Sequence, residues 1–99
     1  MNKTVKKLDN NVVKALTIVC ETAKQNIVGF EWLTHSANYA NFPSSLVITC
    51  ILDKSQSIDV MLVSEQDIEL RKQIQKQLLK AGVLLKNAKR HVFFDSEQA

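Results

Sequence analysis

Four side chains of the types that bind soft metal ions are spread widely along the chain. They are Cys20, His35, Cys50 and His91, and no two of them are closer than fifteen positions. A zinc site needs three or four convergent ligands, usually with one close pair. The spacing therefore predicts no metal site. The two cysteines lie among apolar neighbours, which predicts reduced, buried thiols rather than a disulfide framework.

Carboxylates and glycines give no catalytic pattern either. Asp53, Asp59 and Asp95 flank the ends of apolar runs, where nuclease carboxylates often lie, but no Glu-x-Lys follows on a strand to complete a magnesium site. The two glycines, Gly29 and Gly82, are too far apart for a phosphate-binding loop. No Ser lies in a G-x-S-x-G turn. We therefore predict no catalytic residues, no cofactor and no small-molecule ligand, and hence a protein that is not an enzyme.

Basic residues supply the first candidate site. The chain carries a net charge of +3, with 13 Lys and Arg against 10 Asp and Glu. One group of lysines lies in residues 1–7, and a second group lies on one connector. The candidate nucleic-acid contacts on this connector are Lys86, Lys89, Arg90 and His91. Turns rich in Lys and Arg contact phosphates, although short charge runs are more often simply solvated.

Aromatic residues supply the second candidate site. Four of the six aromatic side chains fall within residues 30–42. Trp and Tyr are frequent anchors of protein interfaces, so Trp32, Tyr39 and Phe42 are candidate interface residues. Packing of these rings in the core is the alternative. A domain of this size has a modest core, and we therefore expect a homodimer with these rings in its interface.

The elements that position these residues follow from hydrophobic periodicity. Apolar residues at three- and four-residue spacing predict helices over residues 8–27 and 64–81, ended by Gly29 and Gly82. Asp9 or Asn10 is expected to cap the first helix, and Ser64 with Asp67 the second. Leu70, Ile74, Leu78 and Ala81 form the inner stripe of the second helix, widened by Ile68 and Leu79.

Strands are predicted over residues 30–35, 46–52 and 91–94. In the first strand, Phe30, Trp32 and Thr34 share one face. The second is apolar throughout, which predicts a central strand buried on both sides. Residues 58–63 are interpreted as a strand because they include β-branched residues. The alternative is a short helix with Met61 and Leu62 facing inward. Residues 95–99 resemble the cap and first turn of a helix.

These elements predict an α+β domain with a small mixed sheet of three to four strands and two main helices on one face. Residues 1–99 form a single domain, and residues 1–7 are expected to be a mobile basic arm. Seven side chains should be almost fully buried. They are Leu16, Val19, Val47, Ile48, Ile51, Ile74 and Leu78.

The sequence also limits the location of the protein. The longest apolar run, residues 46–52, is far shorter than a membrane span. Polar residues follow the basic N-terminal segment where the apolar core of a signal peptide would lie. We therefore expect no membrane association and a cytoplasmic protein.

One stretch resembles a known group of proteins. Residues 29–35 (GFEWLTH), continued by Asn38-Tyr39 and Asn41-Phe42-Pro43, resemble small bacterial proteins that are often named Fis-family transcriptional regulators. The likeness extends to residues 91–95 (HVFFD). It implies a regulator that binds nucleic acid. Fis proteins end in a helix-turn-helix, whereas β-like runs follow Gly82 in this chain, so the resemblance transfers no functional residue.

Together these observations predict a small, non-enzymatic binding or regulatory module that acts through protein–protein contacts. The alternative is a nucleic-acid-binding transcriptional regulator that uses the basic connector, residues 86–91.

Overall fold

A computed structural model of the chain describes residues 3–53 and 58–97. The helices and strands are α1 (Lys3–Asn26), β1 (Phe30–Ser36), β2 (Val47–Leu52), α2 (Ile58–Val63), α3 (Gln66–Lys80) and β3 (Val92–Ser96), with 3-10 helical turns at Tyr39–Asn41 and Ala88–Arg90. The strands form one mixed sheet in the order β1-β2-β3. β1 is antiparallel to β2, and β3 is parallel to β2. The α+β prediction is therefore confirmed.

The core lies between one face of the sheet and the two long helices. α1 contributes Val12, Leu16 and Val19 to this layer, and α3 contributes Leu70, Ile74 and Leu78. The inner face of the sheet carries Phe30, Ile48, Cys50, Leu52 and Val92, all buried. A stripe at helical spacing therefore packs against alternate strand residues, as the periodicity of both elements requires.

β2 is central in the sheet, but it is buried on one side only, so the prediction of two buried faces is wrong. Ile48 is fully buried, whereas Val47 is 37% exposed and Ile51 is half-buried. Both helices pack on the inner face, so the second apolar set of β2 points away from them. A continuous apolar run has no period, and it cannot distinguish one covered face from two.

A β-bulge turns the tryptophan to the outer face. Phe30 pairs with Leu52 and Trp32 pairs with Ile51, which is the neighbour of Leu52. Glu31 is therefore an extra residue in β1 with no partner in the register of β2. This extra residue changes the alternation within β1. Phe30 therefore lies in the core while Trp32 is 39% exposed on the opposite face, contrary to the predicted shared face.

Residues 58–63 form α2 rather than a strand, in agreement with the helical alternative. Met61 is fully buried, but Leu62 is exposed. The Ser64 hydroxyl donates to the Met61 carbonyl at 3.1 Å, so Ser64 closes α2 and does not cap α3. Glu65 then adopts a left-handed conformation at φ 63° before α3 begins. The predicted capping box is therefore wrong.

The ends of the other elements agree with the sequence in part. α1 begins at Lys3, so residues 3–7, which were expected to be an arm, form its first turns. α3 ends as predicted, because Gly82 at φ 86° allows Val83 N–H to donate to the Leu78 carbonyl at 2.8 Å. Asp95 and Ser96 belong to β3, so the predicted helical turn is wrong there. Residues 98–99 lie outside the described residues.

Two residues of α3 are more exposed than the sequence predicts. Ile68 and Leu79, expected to widen the inner stripe of α3, are 42% and 56% exposed.

No helix among the described residues is long and apolar enough to cross a membrane.

The two faces of β2 make a direct test of this packing. Ile48→Ala should lower the free energy of unfolding by about 2–5 kcal/mol, because it leaves a cavity in a closed core. Val47→Ala, the adjacent residue on the exposed face, is the matched control and should cost less than about 1 kcal/mol. Urea unfolding of both variants measures the difference. Equal losses would contradict the one-sided core.

Candidate binding site

A cleft of about 820 Å³ opens where the segments that lead into β2 and β3 meet. β2 and β3 are parallel, with Ile48 beside Val92, so the chain enters both strands at the same end of the sheet. The cleft also receives Leu8 from α1 and residues that follow α3. Its lining side chains are Leu8, Tyr39, Phe42, Pro43, Ser44, Val83, Leu84, Lys86, Asn87, Arg90 and His91. We call it the connector cleft.

The basic wall of the cleft is held in place by a short capped turn and by a backbone hydrogen bond to β2. The Asn87 side chain accepts from Lys89 N–H at 3.2 Å and so caps the 3-10 turn Ala88–Arg90. The His91 carbonyl accepts from Ile48 N–H at 2.7 Å. These bonds fix the connector against the start of the sheet.

His91 has a defined tautomer in this arrangement. Its Nδ1 lies 2.8 Å from the Leu46 carbonyl oxygen, and a carbonyl can only accept, so Nδ1 carries the proton. Nε2 is then the ring nitrogen that is left for another partner. Because the imidazole also borders the cleft, a ligand there meets His91 beside Lys86 and Arg90.

The aromatic wall is held by the loop that follows β1. The Asn38 side chain accepts from Ala40 N–H at 3.0 Å, and the Ser45 hydroxyl donates to the Asn38 carbonyl at 2.7 Å. Tyr39 and Phe42 pack with ring centroids 5.0 Å apart. The loop thus presents two rings in contact to the cleft.

Asp9 joins this wall to α1. Its Oδ1 accepts from the Tyr39 hydroxyl at 2.6 Å and lies 3.3 Å from His35 Nε2. The bond from Tyr39, and then the one from His35, lowers the pKa of the Asp9 carboxyl below its ordinary value of 3.8. Burial, and then the bond to Asp9, raises the pKa of Tyr39 to about 12. Asp9 therefore serves as a tertiary acceptor inside α1 rather than as the predicted cap.

The predicted nucleic-acid contacts divide between two hollows. Lys86, Arg90 and His91 line the connector cleft. Lys89 lies in a neighbouring hollow of about 260 Å³, beside Lys72 of α3, and Lys86 borders both. The connector therefore offers cations to two adjacent concave surfaces.

The predicted interface residues do not form one surface. Trp32 lies on the outer face of the sheet, away from the helices. Tyr39 and Phe42 lie half-buried in the wall of the cleft, where Tyr39 bonds to α1. The structure therefore separates the tryptophan from the other two rings.

A signal in the sequence could have indicated the basic surface. Between Glu69 and Asp95 the chain has no Asp or Glu, while it has seven Lys and Arg residues. They are Arg71, Lys72, Lys76, Lys80, Lys86, Lys89 and Arg90. The first turns of α1, which carry Lys3, Lys6 and Lys7, precede Leu8 at the cleft. The lysines at the start of α1 and the basic connector therefore lie near the same cleft.

The cysteines form part of the packing. Cys50 is fully buried on the inner face of β2, and burial raises the pKa of its thiol to about 12. Cys20 is half-buried on α1, and both thiols are free. Among the described residues, no three His, Cys, Asp or Glu side chains come together as a metal site would require.

No family model matches the chain, and searches of curated proteins and of solved structures give no match. The resemblance to Fis-family regulators therefore stays a prediction. After Gly82 the described residues form a 3-10 turn and β3, with no helix-turn-helix among them.

The bond between Tyr39 and Asp9 has a measurable pH dependence. Tyr39→Phe removes the donor, so the pKa of Asp9 should rise toward 3.8, as followed by carboxyl ¹³C NMR. Stability near neutral pH should fall by about 1 kcal/mol. This loss of stability is smaller than is usual for a hydrogen bond to a charged acceptor, because the Asp9 side chain is 35% exposed and water screens its charge.

The signs of the two pKa shifts define the pH window. The folded-state pKa of Asp9 is lowered, so its contribution is present above pH 3.8 and lost as the pH falls through the folded value. The folded-state pKa of Tyr39 is raised from 10, so the stability that the Tyr39 hydroxyl contributes is lost as the pH rises from 10 to about 12. Asp9→Asn is the reciprocal control and should lower the pKa of Tyr39. An unchanged Asp9 pKa in Tyr39→Phe would contradict the bond.

Proposed function

We propose that the chain is a small, non-enzymatic binding and regulatory module that acts through protein–protein contacts, and that the outer face of the sheet is its contact surface. The observation that carries this proposal is the half-exposed apolar set on that face. Trp32, Val47 and Phe93 are 39%, 37% and 47% exposed. Large apolar side chains grouped on one face are typical of interaction surfaces.

The state of the reactive side chains favours binding over catalysis. A nucleophile needs a lowered pKa or an adjacent base, whereas the Cys50 thiol is buried with a raised pKa. Asp9 and Tyr39 bond to each other within the wall of the cleft. These groups therefore have structural roles that account for their placement.

A second copy of the chain is the occupant that the charges of this face favour. Its outward residues in the paired register are Trp32, Thr34, Ser36, Val47, Thr49, Ile51, Phe93 and Asp95. Of these, only Asp95 is charged. Two positively charged molecules repel each other less when they meet through an uncharged surface, and a self-complementary patch is what a two-fold dimer requires.

The size of the face predicts a weak dimer. Three strands about 4.8 Å apart and five paired residues of about 3.4 Å each give a flat footprint of roughly 240 Å² per copy. A stable interface buries about 800 Å² per partner. The protruding rings of Trp32 and Phe93 and the rim of the sheet must supply the remaining area, so association should depend on concentration.

The single tryptophan reports on this interface. Between about 10 μM and 1 mM, a range suited to weak interfaces, the mass from light scattering should rise toward twice the monomer, and Trp32 emission should shift to the blue. Phe93→Asp should abolish both changes. Val63→Asp is the control, because Val63 is 85% exposed at the end of α2. A monomeric protein across this range would refute self-association through the sheet.

A second candidate function is nucleic-acid binding by the connector, and the stretch between Glu69 and Asp95, which has seven Lys and Arg and no Asp or Glu, favours it. If Lys86, Lys89 and Arg90 neutralise three phosphates of a duplex, the log–log salt slope should be about −2.7. Raising the salt from 50 to 200 mM should then weaken binding about forty-fold.

Charge reversal locates such binding. Lys89→Glu with Arg90→Glu should remove most of the salt slope. Lys76→Glu with Lys80→Glu makes the same charge change within the same stretch of sequence and should leave most of the slope. Fluorescence anisotropy with labelled duplex measures both variants. Equal effects would indicate general attraction rather than a connector site, and no binding at 50 mM salt would exclude this candidate.

A further inference from the structure

We propose that the connector cleft binds a single nucleotide unit, with the base against Tyr39 and Phe42 and the phosphate on Lys86 and Arg90. This goes beyond self-association, which uses the other face of the sheet. It deepens the second candidate by naming the chemical unit recognised. The source of the unit is either a free nucleotide or an unpaired strand, since both present a phosphate beside an accessible base.

The phosphate half of the site consists of donors that remain available. Among the described residues, neither Lys86 nor Arg90 has an ion-pair partner. The Nδ1–H of His91 is bonded to the Leu46 carbonyl, so in this tautomer Nε2 is an acceptor, which suits a hydroxyl of the ligand rather than its phosphate. The capped turn Ala88–Arg90 fixes the backbone of the connector, and an Arg fork matches phosphate geometry.

The base half of the site is an aromatic surface that is ordered before binding. Tyr39 and Phe42 already contact each other, and the hydroxyl of Tyr39 is bonded to Asp9. A ring that is held in place loses little conformational entropy when a base stacks on it. Base–aromatic stacking tolerates every base, because each base has a π-face.

The combination of the two halves favours a nucleotide over other anions. A cleft of about 820 Å³ falls within the range of about 300–1,000 Å³ typical of ligand sites. Cations beside aromatic rings are the pattern with which proteins bind unpaired strands. A duplex has its bases stacked inside and would reach only the cations. An acidic peptide would engage the cations without needing the ring faces.

The experiment titrates the whole chain with matched probes at 50 mM salt and follows backbone amides by NMR. The probes are uridine 5′-monophosphate, uridine, inorganic phosphate, an octamer of uridylate, a duplex, and a Glu-rich peptide. We expect the monophosphate to bind at least about ten-fold more tightly than uridine or phosphate alone. Shifts should occur in the amides of residues 39–42, 44 and 86–91.

Variants separate the two halves of the site. Arg90→Gln should weaken the monophosphate about ten-fold, as the loss of a charge-assisted hydrogen bond does. Lys76→Gln removes the same charge from the exposed face of α3, outside the cleft, and should change affinity less than about two-fold. Tyr39→Leu removes one of the two rings and should weaken binding of the monophosphate. Circular dichroism checks that each variant is folded.

Each result has a fixed meaning. Binding of the monophosphate alone, or of the octamer alone, supports the nucleotide unit and identifies its source. Equal affinity for phosphate and the monophosphate would overturn the proposal, since the rings would then contribute nothing. Binding of the duplex without either single-stranded probe would also overturn it while leaving the second candidate standing. Tighter binding of the Glu-rich peptide at the same amides would assign the cleft to a protein segment instead.

Discussion

The structure depends on the one-sided burial of a three-stranded sheet. Two long helices are enough to cover one face, and they pack against alternate residues of the strands, with Ile48 of β2 and Ile74 of α3 both fully buried. The buried inward residues therefore form a single core. The remaining apolar residues of the strands must point the other way, since successive side chains alternate. The half-exposed outer face is a direct consequence of this arrangement.

The parallel pairing of β2 with β3 decides where the cleft lies. Two parallel strands begin at the same end of a sheet, so the segments leading into them are neighbours in space although about 45 residues separate them in sequence, as the Leu46–His91 bond illustrates. One segment carries the aromatic rings and the other carries the cations. Asp9 adds a third tether, because it holds Tyr39 against α1. The chemistry of the cleft thus results from topology rather than from any local motif.

The outer face and the cleft lie on different parts of the molecule. The face is built from alternate residues of the strands, and the cleft from loops at the strand entrances and from the turn after α3. Each of the two proposed surfaces can therefore be altered by substitutions that do not touch the other.

The sequence by itself determined the α+β class, the two long helices, the strands around residues 30, 48 and 92, and the stop at Gly82. These follow from local periodicity and from the left-handed freedom of glycine. It also marked Lys86, Lys89, Arg90 and His91 as a group, which the structure divides between two hollows. Residues 58–63, for which the sequence left a strand or a short helix open, form a helix. Only the tertiary structure decided the exposure of Val47, the outward turn of Trp32 and the meeting of cations with aromatic rings. Each of these depends on register, on a bulge or on which face the helices cover, and such long-range pairings leave no local pattern in the sequence.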